Sequence, residues 1–243
     1  SMTMTEYTPK AIPLRERLIF ALDVPTPEKA RRLVENLDDA VTFYKIGLEL
    51  FMAGDYFQLL RWLIDNDKKV FVDLKFFDVP QTVRSAVQAL SHHGASFATV
   101  HGNDAIMKAA GEAKGNVKIL AVTALTSLDR GDLDDLGFDC DVEALVLSRA
   151  RRALESGCDG VISSGLEAPA LREYLDHKLL VITPGIRPVD NRDDQKRTVN
   201  VEQAFANGAD YIVVGRPIRD AEDPRAAAMT IQTTIAGIFA GRD

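Results

Sequence analysis

The chain has 243 residues, 46% hydrophobic and 27% charged, an ordinary composition for a globular protein that can bury a sizeable core. Its 36 acidic and 29 basic residues leave a formal charge of −7, the reverse of the basic footprint that nucleic-acid binding needs. No apolar run reaches membrane-spanning length, and Cys140 and Cys158 form no disulfide framework, so a reducing, cytoplasmic setting is expected.

Ser1-Met2 reads as a vector-derived leader, residues 1–13 as a loose polar arm, and residues 14–243 as a single domain. Within that domain, short apolar runs rich in Val and Ile alternate with amphipathic patterns. In chain order the expected strands are Leu18–Val24, Thr42–Gly47, Val70–Phe76 and Phe97–Gly102, then Lys118–Leu125, Gly160–Gly165, Leu179–Gly185 and Tyr211–Ile218. Their near-continuous hydrophobicity suits parallel strands covered on both faces. The expected helices carry their own punctuation. One opens with Thr26 as N-cap and Pro27 in the first turn; another runs from Pro80 to a stop at Gly94. Two more run over Val142–Gly157 and Val201–Gly208, each ending on glycine.

Eight such β-then-α units without a long structureless linker predict an α/β fold, a single-domain (β/α)8 TIM barrel. A doubly wound open sheet is the alternative, and it is weakened because no G-x-G-x-x-G follows the first strand.

A barrel of this kind carries its chemistry at the C-terminal ends of its strands. Polar residues fall there repeatedly: Asp23, Lys45, Asp73 and Lys75, Thr126 and Ser127, then Pro184, Gly185 and Arg187, and finally Gly215 and Arg216. Any one of them has a bland reading, and Asp23 could simply cap the next helix. Polar groups at six of eight strand ends are harder to explain by capping.

The sharpest cluster is Asp73-x-Lys75-x-x-Asp78. Side chains alternate along a strand, so Asp73 and Lys75 should share the face of the barrel mouth, with Lys45 joining from the neighbouring strand. A lysine set among carboxylates is held as an ammonium, which makes it a proton donor rather than a Schiff-base nucleophile. The competing reading is a salt-bridge network that only closes the barrel, although such networks stabilise poorly compared with apolar packing. A second cluster lies in "TPGIRP" (Thr183–Pro188) and "VVGRPI" (Val213–Ile218), each with glycine and arginine after a strand, the usual phosphate position of these barrels. The polar stretch from Pro188 to Thr198 is either a solvated loop or a lid that closes over the phosphate, with Gln195 reaching down to it.

The segments "LDV" at Leu22–Val24, "KIG" at Lys45–Gly47, "DLKFFDVPQTV" at Asp73–Val83, "LTS" at Leu125–Ser127, "TPGIRP" and "VVGRPI" resemble the orotidine 5′-monophosphate decarboxylase family in order and spacing. The resemblance runs from about Leu18 to the C-terminal helix. It implies decarboxylation of orotidine 5′-monophosphate to uridine 5′-monophosphate without metal or cofactor, the last step of de novo uridine 5′-monophosphate synthesis. Lys75 would protonate C6 of the ring and Asp73 would lie near the departing carboxylate. Lys45, Asp73, Lys75 and Asp78 would form an alternating charge array. Asp23 and Lys45 would hold the ribose side, Thr126 and Ser127 the pyrimidine, and Pro184, Arg187, Gln195, Gly215 and Arg216 the phosphate side. Asp78 and Thr82 would reach into the site of a neighbouring subunit, which implies a homodimer.

One segment departs from the pattern. Many relatives carry a glycine-rich stretch after the fourth-strand histidine, whereas this chain reads "HGNDA" over His101–Ala105. The family gives His101 no catalytic role, so a structural or rim histidine is expected. The acidic insertion Asp129–Cys140 is expected to be a solvated surface loop with a short helical turn. Two rival functions stand beside the decarboxylase: a magnesium-dependent sugar-phosphate decarboxylase or aldolase of the same barrel superfamily, and a non-catalytic binder of phosphorylated ligands. The latter would have no need of a lysine set among carboxylates.

Overall fold

The computed structural model describes residues 8–123, 130–137, 139–187 and 199–241. Eight strands form among them: β1 (Leu18–Ala21), β2 (Phe43–Gly47), β3 (Lys69–Phe76), β4 (Phe97–Val100), β5 (Lys118–Val122), β6 (Gly160–Ile162), β7 (Leu180–Thr183) and β8 (Tyr211–Val214). All pair in parallel in chain order, and β8 returns to β1 with Ile212 opposite Leu18. That last ladder closes the barrel and rules out an open sheet.

Helices separate the strands. After β1 comes α1 (Pro27–Leu37); after β2, α2 (Leu48–Ala53) and α3 (Tyr56–Asp65); after β3, α4 (Pro80–His93); after β4, α5 (Asp104–Ala113). Then follow α6 (Arg130–Asp135) and α7 (Val142–Glu155), α8 (Ala168–Tyr174), α9 (Val201–Ala206), and the pair α10 (Arg216–Arg219) and α11 (Pro224–Phe239). Among the described residues no helix is long and apolar enough to cross a membrane.

Local chemistry sets the helix ends. Thr26 Oγ1 accepts from Lys29 N at 3.2 Å at the start of α1. Pro80 opens α4, where its missing N–H costs nothing, and Gly94 ends it at φ 83°, a left-handed value that glycine adopts without strain. The buried faces repeat at helical spacing, Ala30, Val34 and Leu37 in α1 and Val83, Val87 and Leu90 in α4. Each large side chain so enclosed contributes ~2 kcal/mol.

Most strands stop short of the apolar runs that announce them. Leu18–Val24 pairs only to Ala21, and Tyr211–Ile218 only to Val214, after which Arg216 begins α10. Past the ladders the chain turns into the rim, where Leu22, Val24 and Ile218 still pack into the outer core.

Two side-chain layers explain how the mouth is built. One parity of the strands points outward to the helices, as with Phe20, Tyr44, Val72 and Ala98. The other points inward, and Ile19, Ala21, Phe43, Phe71, Phe97, Ile182, Tyr211 and Val213 pack there as a separate core. Its rings pack closely, Phe43 tilted against Phe97 at 5.0 Å and Phe97 edge-to-face with Tyr211 at 5.1 Å between centroids. Two residues further along the same inward faces stand Lys45, Asp73 and Thr99, and Asp23 follows two residues beyond Ala21. An apolar plug therefore ends where the polar mouth begins.

The opposite end of the barrel is sealed by charge. Arg172 of α8 and Asp210, at the start of β8, are both nearly fully buried, with Nη2 2.7 Å from Oδ2. Lys10 Nζ lies 3.1 Å from Asp210 Oδ1, and Arg17 donates to the carbonyl oxygens of Asp210 at 2.9 Å and Lys10 at 2.7 Å. Ile12 packs against the inner core. The last four residues of the segment expected to be a loose arm thus run as a strap across the barrel floor.

Candidate active site

Asp73 is the centre of the mouth. Lys75 Nζ donates to both of its carboxylate oxygens at 3.0 Å, and Lys45 Nζ stands 3.4 Å from Oδ2. Thr99 of β4 donates its hydroxyl to Asp73 Oδ1 at 2.7 Å. Asp73 retains only 11% side-chain exposure, against 41% for Lys75. Burial on its own pushes the Asp73 carboxyl up, but the ammonium groups of Lys45 and Lys75 and the hydrogen bonds from Thr99 and Lys75 outweigh it. The net effect holds this carboxyl below the ordinary aspartate value and keeps it ionised.

Simple strand alternation does not deliver this geometry. Val72 pairs with Ala98 and Phe76 with Val100, so β3 spends four steps where β4 spends two, a local bulge. Inside it Lys75 sits at φ 48°, a left-handed conformation that costs a non-glycine residue about 1–2 kcal/mol. Bulges of this kind re-aim a side chain. Lys75 meets Asp73 as expected, but through a kink rather than a flat strand. Gly47, opposite Asp73 in the β2–β3 ladder, leaves room for it, since a Cβ there would come within 3.2 Å of the Asp73 carbonyl oxygen.

The remaining residues of the expected site take defined places. Asp23 follows β1 and does not cap α1, because Thr26 does. Asp78 is exposed, and its Oδ1 accepts from Val79 N at 2.7 Å; within this chain Lys75 therefore has Asp73 as its carboxylate partner, not two flanking aspartates. Thr82 is exposed on the first turn of α4. Pro184 and Gly185 follow β7, and Gly185 takes φ 71°. Arg187 is held by its backbone N–H to Val199 O at 3.1 Å. Gly215 precedes α10, and Arg216 is that helix's first residue. Arg187 and Arg216 thus leave adjacent strands of one rim. Thr126, Ser127, Gln195 and the Pro188–Thr198 stretch lie outside the described residues.

His101 ends up on the rim, its ring edge-on to Phe77 at 5.4 Å. Burial, then the charges of Arg149 and Lys75, holds its pKa below the usual histidine value. In the "HGNDA" segment Asn103 caps α5, its side chain accepting from Ile106 N at 3.0 Å. Of the expected acidic insertion, Arg130–Asp135 is helical. Thr99 is the residue that motif reading passed over. Its signal was available, since it lies two positions after inward-facing Phe97.

A closed parallel barrel with an apolar inner plug and a lysine–aspartate–lysine array above it defines a (β/α)8 protein built to place charge at its C-terminal rim. The chain belongs to the orotidine 5′-phosphate decarboxylase / HUMPS family, whose model matches residues 16–231. An orotidine 5′-phosphate decarboxylase of Methylococcus capsulatus is 68% identical over 233 residues, covering 95% of this chain and 96% of that protein. One from Stenotrophomonas maltophilia is 51% identical, covering 95% and 98%. The crystal structure of orotidine 5′-phosphate decarboxylase from Lactobacillus acidophilus superposes with a TM-score of 0.81 at 34% identity, covering 90% of this chain and 99% of that one.

Proposed function

We propose that this protein converts orotidine 5′-monophosphate to uridine 5′-monophosphate and carbon dioxide, with Lys75 protonating C6. The observation that carries the reading is the Lys45–Asp73–Lys75 array in a chain whose relatives bear that enzyme's name.

The chemistry needs a cation beside one ring carbon. The bond from C6 to the carboxylate carbon breaks and its electron pair stays on C6, where no adjacent group can absorb it. The Lys75 ammonium stabilises that charge as it develops, because it is already fixed by Asp73 and need not reorganise. Nζ then gives its proton to C6, carbon dioxide leaves, and the neutral amine takes a proton from solvent. In this reading Asp23 and Lys45 hold the ribose side and Thr126 and Ser127 the pyrimidine. Pro184, Arg187, Gln195, Gly215 and Arg216 embrace the phosphate, with the Pro188–Thr198 stretch closing over it. Binding energy gained at the phosphate is then available at the reacting carbon.

The protein acts as a homodimer in the same reading. Phe77 and Val79 flank Asp78 and are 68% and 61% exposed, an apolar pair suited to cover by a second copy that receives Asp78 and Thr82.

The test is the absorbance change on mixing orotidine 5′-monophosphate with the protein in the presence of EDTA. Turnover that survives the chelator supports the nucleotide decarboxylase. Activity on a sugar phosphate that EDTA abolishes would replace it with the magnesium-dependent rival.

A further inference from the structure

We infer that Thr99 is the positioning residue of the site, its single hydroxyl holding both the Asp73 carboxylate and the bulged Lys75 backbone in place for the decarboxylation proposed above. The direction of its hydrogen bonds follows from valence. The Lys75 backbone N–H can only donate, so Thr99 Oγ1 accepts from it, at 3.0 Å. The hydroxyl has one proton, and it goes to Asp73 Oδ1 at 2.7 Å. That oxygen must then be a bare acceptor, which agrees with an ionised carboxylate.

The place of Thr99 in the barrel gives the bond pair its leverage. β3 leaves regular register with β4 between Val72 and Phe76, so Lys75 loses an ordinary ladder partner there. Thr99, fully buried on β4, supplies a side-chain acceptor in its stead. One group therefore fixes the left-handed turn from which Lys75 reaches back and the rotamer of the carboxylate that it reaches. The closest approach of Lys45 is to the other oxygen, Oδ2, at 3.4 Å, so beside Thr99 it is Lys75 Nζ that donates to Oδ1. Among the described residues, the charged and titratable groups that act on Asp73 or feel its charge include Lys45 from β2, Lys75 from β3 and the Tyr56 hydroxyl of α3, which donates to Ile46 O at 2.9 Å.

The test compares Thr99→Val, which keeps the shape and removes the hydroxyl, with Thr99→Ser, which keeps the hydroxyl. Thr99→Val is expected to lower kcat about 10- to 100-fold while leaving KM within a few-fold, and to raise the pH at which the Asp73 carboxyl titrates, read by carbon-13 NMR. Thr99→Ser is expected to restore both. The inference fails if Thr99→Val keeps wild-type kcat and Asp73 titration. It also fails if Thr99→Ser is as impaired as Thr99→Val, since packing would then be the cause. Should the wild-type protein not turn over orotidine 5′-monophosphate, the functional reading falls separately, and the carboxyl titration of the two variants alone decides whether Thr99 governs Asp73.

Discussion

Lys75 reaches back to Asp73, two residues earlier in the chain, and places Nζ 3.0 Å from both carboxylate oxygens out of a left-handed backbone. The contact fixes the ammonium at the mouth while 41% of the side chain remains exposed and accessible to a ligand. Replacing Lys75 with Ala is therefore expected to leave the barrel folded, with a melting temperature within a few degrees of wild type. Turnover should fall by at least about 10²- to 10⁴-fold, the range for loss of a proton-transfer group. Circular dichroism melts and the absorbance assay check the two halves; retained turnover would remove the proton-donor assignment.

Arg216 begins α10 beyond the end of β8, on the rim. If it binds the phosphate, Arg216→Ala loses a charge-assisted contact and should lower kcat/KM about 10- to 100-fold. Steady-state kinetics on purified protein would show this, and a near-normal kcat/KM would sink the phosphate role.

A symmetric dimer that exchanges Asp78 makes a further expectation. Lys75→Ala and Asp78→Ala should each be nearly inactive alone. In a mixed dimer, one site would combine the intact Lys75 of one chain with the intact Asp78 of the other. Random reassortment of equal amounts should then recover roughly a quarter of wild-type activity. No recovery after verified subunit exchange would place Asp78 in its own chain's site.

The barrel floor has a pH signature of its own. Burial, the largest influence, lowers the Lys10 pKa from 10.5 to about 8; Asp210 opposes the shift, while Arg172 and Arg17 add to it. The unfolded chain therefore holds a proton that the folded one releases between pH 8 and 10.5, and stability contributed by this group rises with pH across that window. The gain is on the order of a few kcal/mol. Urea titrations at pH 7.5 and 10 should show it in the wild type, relative to a Lys10→Met variant in which it is absent.

The barrel was legible in the sequence because β and α periodicities alternate cleanly and several helices end on a glycine, as at Gly94, Gly157 and Gly208. The strand ends were not, since apolar residues such as Leu22 and Ile218 stay buried after the ladder has ended. The charge array was legible from Asp73-x-Lys75, and its route was hidden. Nothing in the composition of "VDLKFF" announces a bulge, which arises from pairing with β4. Thr99 could be placed on the inward face from Phe97, but its partner could not, and Arg172 is alike: Asp73 and Asp210 lie 26 and 38 positions away.

The floor strap also joins the first described residues to the last helix. Arg17 lies just ahead of β1, its guanidinium 4.1 Å from the ring of Phe239 near the end of α11, and bonds to Lys10 at the opening of the described chain. Lys10 and Phe239 therefore both lie on the side of the barrel remote from Asp73. The contacts that fasten the first and last described elements to each other thus lie at the floor, so loosening them would open the barrel from the end opposite to the rim.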